Sequence, residues 1–428
     1  KETYLNIGME EQEQLAKVWK LEQEDSIPAM AKNRFVSSNR LLDSLNFIVP
    51  LARYDLKSGD IACRWVNHID VANGRFYPAK GEMDIQANGD IQEFEDGRLL
   101  CERTDPAKLL TAVKFKLKGK NDFNGSGNYL YVSEEKKKSV LHFMELGRDS
   151  AKLIFAKAQV KAEEPLYLNN GIRFKGNVVL YSRKPDLWFA GYAGLTTDTV
   201  HVKHNWVRVQ DYLASAHIRI PLKIENRNDK QQRIYNAIYL NTDKSFTPYA
   251  SFMSSRRFYN DDLLIGGEGK LEWSLGMEQY IISDTLCDKY YRFRYDPEIA
   301  VISSFGPVTP HLNIPGVDMR MAGDISFQLK TEKLHITDVL LLTDFTLLNR
   351  MEAVILKDFG DKKLKNIKVE PSFKEKLTEL YGQRMMPALE KQLTNMTFNI
   401  PDSLHQLFVM DSLSFVWNEQ TRSYVADG

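Results

Sequence analysis

From about residue 44 to residue 344 the chain is strand-rich, and in its cleanest strands apolar and polar positions alternate with a period of two. In AVKFKLKGK, residues 112 to 120, Val113, Phe115 and Leu117 fall on one side and Lys114, Lys116, Lys118 and Lys120 on the other. HIRIPLKI, residues 217 to 224, sets Ile218, Ile220, Leu222 and Ile224 against His217, Arg219, Pro221 and Lys223. MAGDISFQLK, residues 321 to 330, does the same with Ile325, Phe327 and Leu329. Such a period predicts strands with one face on a core and the other in water.

The strands come in hairpin-like units, each led by a glycine. AKGEMDIQANGDIQEF carries Gly81, FNGSGNYLYVSEEKKKSVLHFMEL carries Gly127, and FKGNVVLYSRKPDLWFAGYA carries Gly176. GGEGKLEWSLGMEQYIIS follows with Gly269, and MAGDISFQLKTEKLHITDVLLL with Gly323. Successive glycines are 46, 49, 93 and 54 residues apart. The long interval holds a hairpin pattern without the glycine, IRIPLKIENRNDKQQRIYNAIYL. A degenerate step of about 50 residues lies in the range of repeat arrays. The expected fold is therefore mainly β, a series of antiparallel hairpins in a solenoid- or sandwich-like arrangement.

The pattern changes at both ends. Residues 1–43 read as a helical and extended segment, with a short helix over 8–24 that gathers Leu15, Val18, Trp19 and Leu21 on one side. Residues 44–344 form the β-rich region, with a candidate division into two domains near 195–215. Residues 345–428 are mixed: helical spacing over 345–359, a second helix over 372–396, then a strand in LFVMDSLSFVW. Ser372 and Glu375 have capping-box spacing, and Pro387 marks a break in that helix. The chain begins at Lys1 and ends SYVADG, so it is expected to be a piece of something longer.

Composition narrows the classes. Hydrophobic residues make up 43% and charged residues 27%, as in a folded protein. Lys plus Arg and Asp plus Glu number 57 each, which disfavours a nucleic-acid binder. No apolar run reaches the roughly 18 residues of a membrane-spanning helix. Cys63, Cys101 and Cys287 are odd in number and lack CxxC spacing. They read as small buried apolar residues, with Cys63–Cys101 as the one disulfide considered.

Few residues point to chemistry. His201 and His204 have a two-residue gap, but in a strand they face opposite ways, and no further ligand accompanies them. The acidic stretch 84–97 could offer oxygens to calcium, yet Asn88-Gly89-Asp90 is better read as a hairpin turn. Ser133 and Lys136 match SxxK by letters only, at a turn. The Asn395 sequon carries no weight without a eukaryotic secretory setting. No catalytic residue, metal or cofactor is assigned.

Binding residues are easier to nominate. Lys114, Lys116 and Lys118 form a one-face stripe, with Lys136, Lys137 and Lys138 placed near it on the next hairpin turn, and they suit an anionic surface. In DKYYRFRYDP, Tyr291, Phe293 and Tyr295 share one face, and Arg292 and Arg294 the other. Aromatic residues beside arginine can stack a sugar or anchor a protein. Trp188, Trp206 and Trp273 join them as candidates.

IDVANGRFYPAKGEMDI, FNGSGNYLYV, GIRFKGNVVLYSRKPDLWFAGYA and LIGGEGKLEWSLGMEQYIIS resemble segments of very large, β-rich cell-envelope proteins of Bacteroidetes bacteria. More distantly, the chain resembles the stacked-strand bridges that carry lipopolysaccharide across the periplasm, from which its 50-residue step and its helices depart. The resemblance implies an exported, extracytoplasmic protein of the periplasm or outer membrane, with envelope proteins, glycan or lipid as partners. It brings no active site. The leading expectation is a non-enzymatic scaffold or interaction protein. A lipid-binding groove requires a continuous apolar seam, and a polysaccharide-acting enzyme requires two converging carboxylates.

Overall fold

The computed structural model describes residues 34–37, 45–197, 205–242, 245–258, 260–283, 292–310, 315–345, 370–388 and 408–426. The helices expected over 8–24 and 345–359, Cys287, His201, His204, Tyr291 and Asn395 lie outside the described residues, Phe345 of that second helix excepted. The structure is mainly β and built of serial antiparallel hairpins. It divides into two compact units. The first lies within Lys1–Leu166, Lys175–Gly191 and Gln210–His217, and the second within Tyr167–Phe174, Tyr192–Val209 and Ile218–Gly428.

The glycines of the hairpins share a position. Gly127, Gly176, Gly269 and Gly323 each stand five residues before the end of the first strand of their hairpin, in Asp122–Val132, Ile172–Tyr181, Gly269–Ser274 and Val317–Gln328. Gly127 and Gly323 mark register shifts, where a bulge bends a long strand. Gly176 has φ +133°, and a Cβ there would lie 2.6 Å from the Cα of Gly191 and 2.8 Å from the carbonyl oxygen of Ala190. Backbone meets backbone at that point, so only glycine fits.

In the first unit, Leu109–Gly119, Asp122–Val132, Lys138–Arg148 and Ile154–Val160 are consecutive neighbours in a large sheet, followed by Ile172–Tyr181 and Leu187–Leu195, of which residues 175–181 and 187–191 belong to that unit. Val113, Phe115 and Leu117 are buried and Lys114, Lys116 and Lys118 exposed, as their alternation predicts. The sheet curls. The turn after Ile69–Val71 reaches Ile154–Val160, several strands further along, where Asn73 accepts from the Ile154 N–H at 2.9 Å and donates to Ser182 Oγ at 2.9 Å. Buried Lys108 donates to the Ser182 carbonyl at 2.6 Å. The Asn73 amide and the Lys108 ammonium thus have partners, without which their burial would be costly.

Three expectations need correction in detail. Cys63 and Cys101 are both free and buried, and burial pushes the Cys101 thiol up to about 12. Their apolar surroundings keep them as thiols, and no bridge joins them. Lys136, Lys137 and Lys138 do not extend the lysine stripe: Lys114 lies opposite Ser126, so the stripe runs toward one end of Asp122–Val132 and the turn 133–137 stands at the other. HIRIPLKI is not one strand either. Ile220–Leu222 pairs with Gly269–Ser274, then Asn226 accepts from the Lys223 N–H and donates to the Lys223 carbonyl, and the chain passes to Glu225–Arg227 in another sheet.

The second unit stacks two sheets. Ile220–Leu222, Gly269–Ser274, Gln279–Ser283, Arg292–Asp296, Val301–Val308, Val317–Gln328, Lys333–Phe345, Phe408–Asn418 and Ser423–Ala426 follow one another in the larger. Arg233–Asn241 and Pro248–Ser254 belong to the smaller, and Phe252 from it stacks on Phe293 and meets Tyr280 and Tyr295 of the larger.

A helix, Pro371–Tyr381, covers the other side, with Phe373 and Leu377 against Leu340 and Leu342. It starts with Pro371 in its first turn and Glu370 as cap residue, so Ser372 is not the cap. It stops at Gly382, whose φ of +79° ends it five residues before Pro387.

Candidate functional site

Residues on the outward face of the first unit's sheet are placed by strand register. On Asp122–Val132 and Lys138–Arg148, Leu130 lies opposite Val140, and Asn128 opposite His142. Their neighbours Tyr131, Leu141 and Phe143 point into the core. The outward positions nonetheless include large apolar side chains: Leu130 is 39% exposed, Val140 54% and Met144 76%. Met144 and Glu145 form a bulge where the register shifts, and Glu145 lies opposite Lys157 at 3.7 Å.

A second line crosses the same face. Lys116 lies opposite Asn124, Gly147 opposite Phe155, and Phe155 opposite Tyr181. Gly147 leaves room for the Phe155 ring, which would lie 3.4 Å from a Cβ there. Beyond Tyr181, Trp188 and Tyr212 meet edge to face, their centroids 4.7 Å apart, and Tyr181 is 6.5 Å from Tyr212. The Lys184 ammonium stands 5.6 Å over the Tyr212 ring. Phe155, Tyr181, Trp188 and Tyr212 are all half-buried, so they are held in place while keeping a solvent edge.

The nominated residues separate into two groups. Lys114, Lys116, Lys118 and Trp188 all come to this face, Lys114 bridging to Glu95 at 3.0 Å. Within the aromatic stretch, the rings of two nominated residues are turned inward. Phe293 and Tyr295 are 0% exposed, in the core of the second unit, because the smaller sheet packs Phe252 onto them. Arg294 alternates to the other side of their strand and is half-buried there, and Arg292 takes its place in the same strand, opposite Phe305. Trp273 packs edge to face on Tyr280, and Trp206 receives the Arg173 guanidinium at 5.1 Å.

Tyr181, Tyr212, Lys184, Val140 and Met144 were not nominated from sequence. The phase of SVLHFMEL is hidden by its near-continuous apolar run, so its outward positions emerge only from register.

Two charged clusters lie in the second unit. Buried Lys376 on the helix donates to Asp338 Oδ1 at 2.6 Å and Asp411 Oδ1 at 2.8 Å, and Ser372 Oγ donates to Asp338 Oδ2. Burial alone would raise the Asp338 carboxyl, but the bonds from Lys376 and Ser372 outweigh it and hold it below its ordinary value. Elsewhere, the fully buried Asp261 carboxylate accepts from the Tyr249 hydroxyl and the Phe258 N–H, with Arg256 Nε 3.6 Å away. Burial first, and that bond second, push the Tyr249 phenol far up, so it stays a neutral donor.

Both clusters bind one part of the fold to another. The converging carboxylates Asp338 and Asp411 both meet the Lys376 ammonium, which ties the helix to the strands Lys333–Phe345 and Phe408–Asn418. The two-sided apolar strand Lys333–Phe345 is likewise covered, by the helix and by Pro248–Ser254, as in a sandwich interior.

In the acidic stretch, Asp84 bonds Arg64 at 2.8 Å, and Asn88 closes the turn onto Asp90. Among the described residues no three His, Cys, Asp or Glu gather as a metal site, and no helix is long and apolar enough to cross a membrane. Compared with protein-family models, curated proteins and solved structures, the chain gives no match.

Proposed function

We propose that this chain is a non-enzymatic interaction protein of the bacterial cell envelope, working outside the cytoplasm, and that it engages its partner through the outward face of the first unit's sheet. The envelope setting rests on the sequence resemblance. The surface rests on one observation: the cross-strand pair Leu130–Val140, with Met144, stands exposed on strands whose other face packs Tyr131, Leu141 and Phe143 into the core. Apolar side chains in that position add little to folding, and clustered exposed ones are the mark of an interaction surface. The lysines further along the same face raise the rate of encounter with an acidic partner and orient it.

The test is co-sedimentation of the whole chain with the envelope fraction of its source cells. Val140→Asp with Met144→Asp places two charges on the face without touching the core. At least tenfold weaker association is expected, with an unchanged thermal unfolding midpoint. Association equal to that of the unsubstituted chain would remove the face from consideration.

A further inference from the structure

Resting on that reading of the face, we infer that its occupant is an anionic linear polysaccharide, lying across the strands from Lys116 past Phe155 and Tyr181 to Trp188 and Tyr212. The row follows from register: Lys116 opposite Asn124, Gly125 opposite Leu146, Gly147 opposite Phe155, and Phe155 opposite Tyr181. The strands bearing Trp188 and Tyr212 come next in the sheet, and ring contacts join both side chains to the row. With neighbouring strands about 4.8 Å apart, a row over seven strands is about 30 Å long. That is a track for an extended polymer, far longer than a pocket for a single small molecule.

The chemistry changes along the track. At one end the rings of Tyr181, Trp188 and Tyr212 offer apolar area with polar tips, which suits the C–H face and hydroxyl rim of a sugar ring. They are fixed by edge-to-face contacts, so little side-chain freedom is lost on binding. At the other end is the lysine stripe. Of the carboxylates beside it, Glu95 is taken by Lys114 at 3.0 Å and Glu145 by Lys157 at 3.7 Å, Asp122 stands at the turn, and Glu93 stands exposed next to Phe94, which lies opposite Phe115. Lys116 and Lys118 stand exposed, and Lys184 adds a third ammonium at the aromatic end.

Rings and lysines on one line match a chain whose units carry both a sugar ring and a carboxylate. A neutral glycan would leave the lysines without a role. Along this line the rings are half-buried in a sheet and offer edges, not inserting side chains; the exposed Leu130, Val140 and Met144 lie off it, and vesicles serve as the control for them.

Polygalacturonate serves as the probe, titrated calorimetrically into the whole chain, with dextran as the neutral control and phosphatidylglycerol vesicles as the lipid control. Binding to polygalacturonate alone is expected, weakening as salt rises because exposed lysines carry part of it. Trp188→Ala is expected to weaken it at least tenfold. Lys116→Glu with Lys118→Glu, on exposed positions that cannot unfold the sheet, is expected to do the same.

Absence of binding, equal binding of dextran, a preference for vesicles, or indifference to both variants would each overturn the inference. If polygalacturonate fails while Val140→Asp with Met144→Asp still releases the chain from envelopes, the glycan is wrong and the face stands. If those aspartates also change nothing, the reading of the face falls with it.

Discussion

Phe293→Ala is expected to lower the stability of the second unit by about 3–5 kcal/mol, the range for removing a buried aromatic side chain. Phe293 is 0% exposed and lies parallel to Phe252, at 6.1 Å and 6°, across the two stacked sheets. Behind it the backbone of Gly267 comes so close that a Cβ there would sit 2.7 Å from the ring. Walls made of backbone and packed rings collapse little around a void, which puts the cost at the upper part of the range. Denaturant unfolding measures it directly. A loss under about 1 kcal/mol would mean that the ring is not in a core.

The second large effect is expected from Asp338→Asn combined with Asp411→Asn. Lys376 then keeps its charge, fully buried, with no carboxylate to meet it. Breaking a buried ion pair in this way costs about 3–5 kcal/mol. Asp338→Asn alone is expected to cost about 2 kcal/mol, because Asp411 remains and Asp338 itself is partly solvated. The loss should be local. Amide hydrogen exchange in Pro371–Tyr381 should accelerate by two orders of magnitude or more, while Leu109–Gly119 in the first unit stays protected.

The same cluster sets a pH dependence. Asp338 is held below its ordinary value, so its stabilisation is present above the unfolded value of about 4 and fades as pH falls through the lower folded one. For Lys376 burial would lower the ammonium, but its bonds to Asp338 and Asp411 outweigh that and raise it. Its contribution is therefore complete below an unfolded value of about 10.4 and is lost only as pH rises through the higher folded one. Asp324 works the other way: burial, then the charge of Asp338, raise it, so its protonation in acid partly offsets the loss. Docking of the helix is expected to hold across neutral pH and to fail first in acid.

Much of the β architecture was legible because period two needs no long-range information. Val113, Phe115 and Leu117 announce their own face, and the leading glycines mark one place in four hairpins. The outward face proposed for binding was less legible, for a physical reason. Alternation says that Phe293 and Tyr295 share a face but not which face is covered, and a second sheet covers theirs.

The helix end shows the same limit. The capping-box letters at Ser372 were outbid by Pro371, whose fixed φ suits the first turn, and Ser372 was left to bond Asp338. Trp188 and the lysine stripe stand outward, Lys114, Lys116 and Lys118 as their alternation predicts. Tyr181 and Tyr212 were not legible, since 31 residues separate them and only the sheet joins them.

Oxidative footprinting of the whole chain, with and without the envelope fraction, tests the outward face most directly. Met144 and Trp188 are both on it and both react readily with hydroxyl radicals. Met277 and Trp65 are exposed elsewhere and serve as internal references. The account expects Met144 and Trp188 to become protected while Met277 and Trp65 label as before. Protection of the reference residues with Met144 and Trp188 still fully labelled would contradict it.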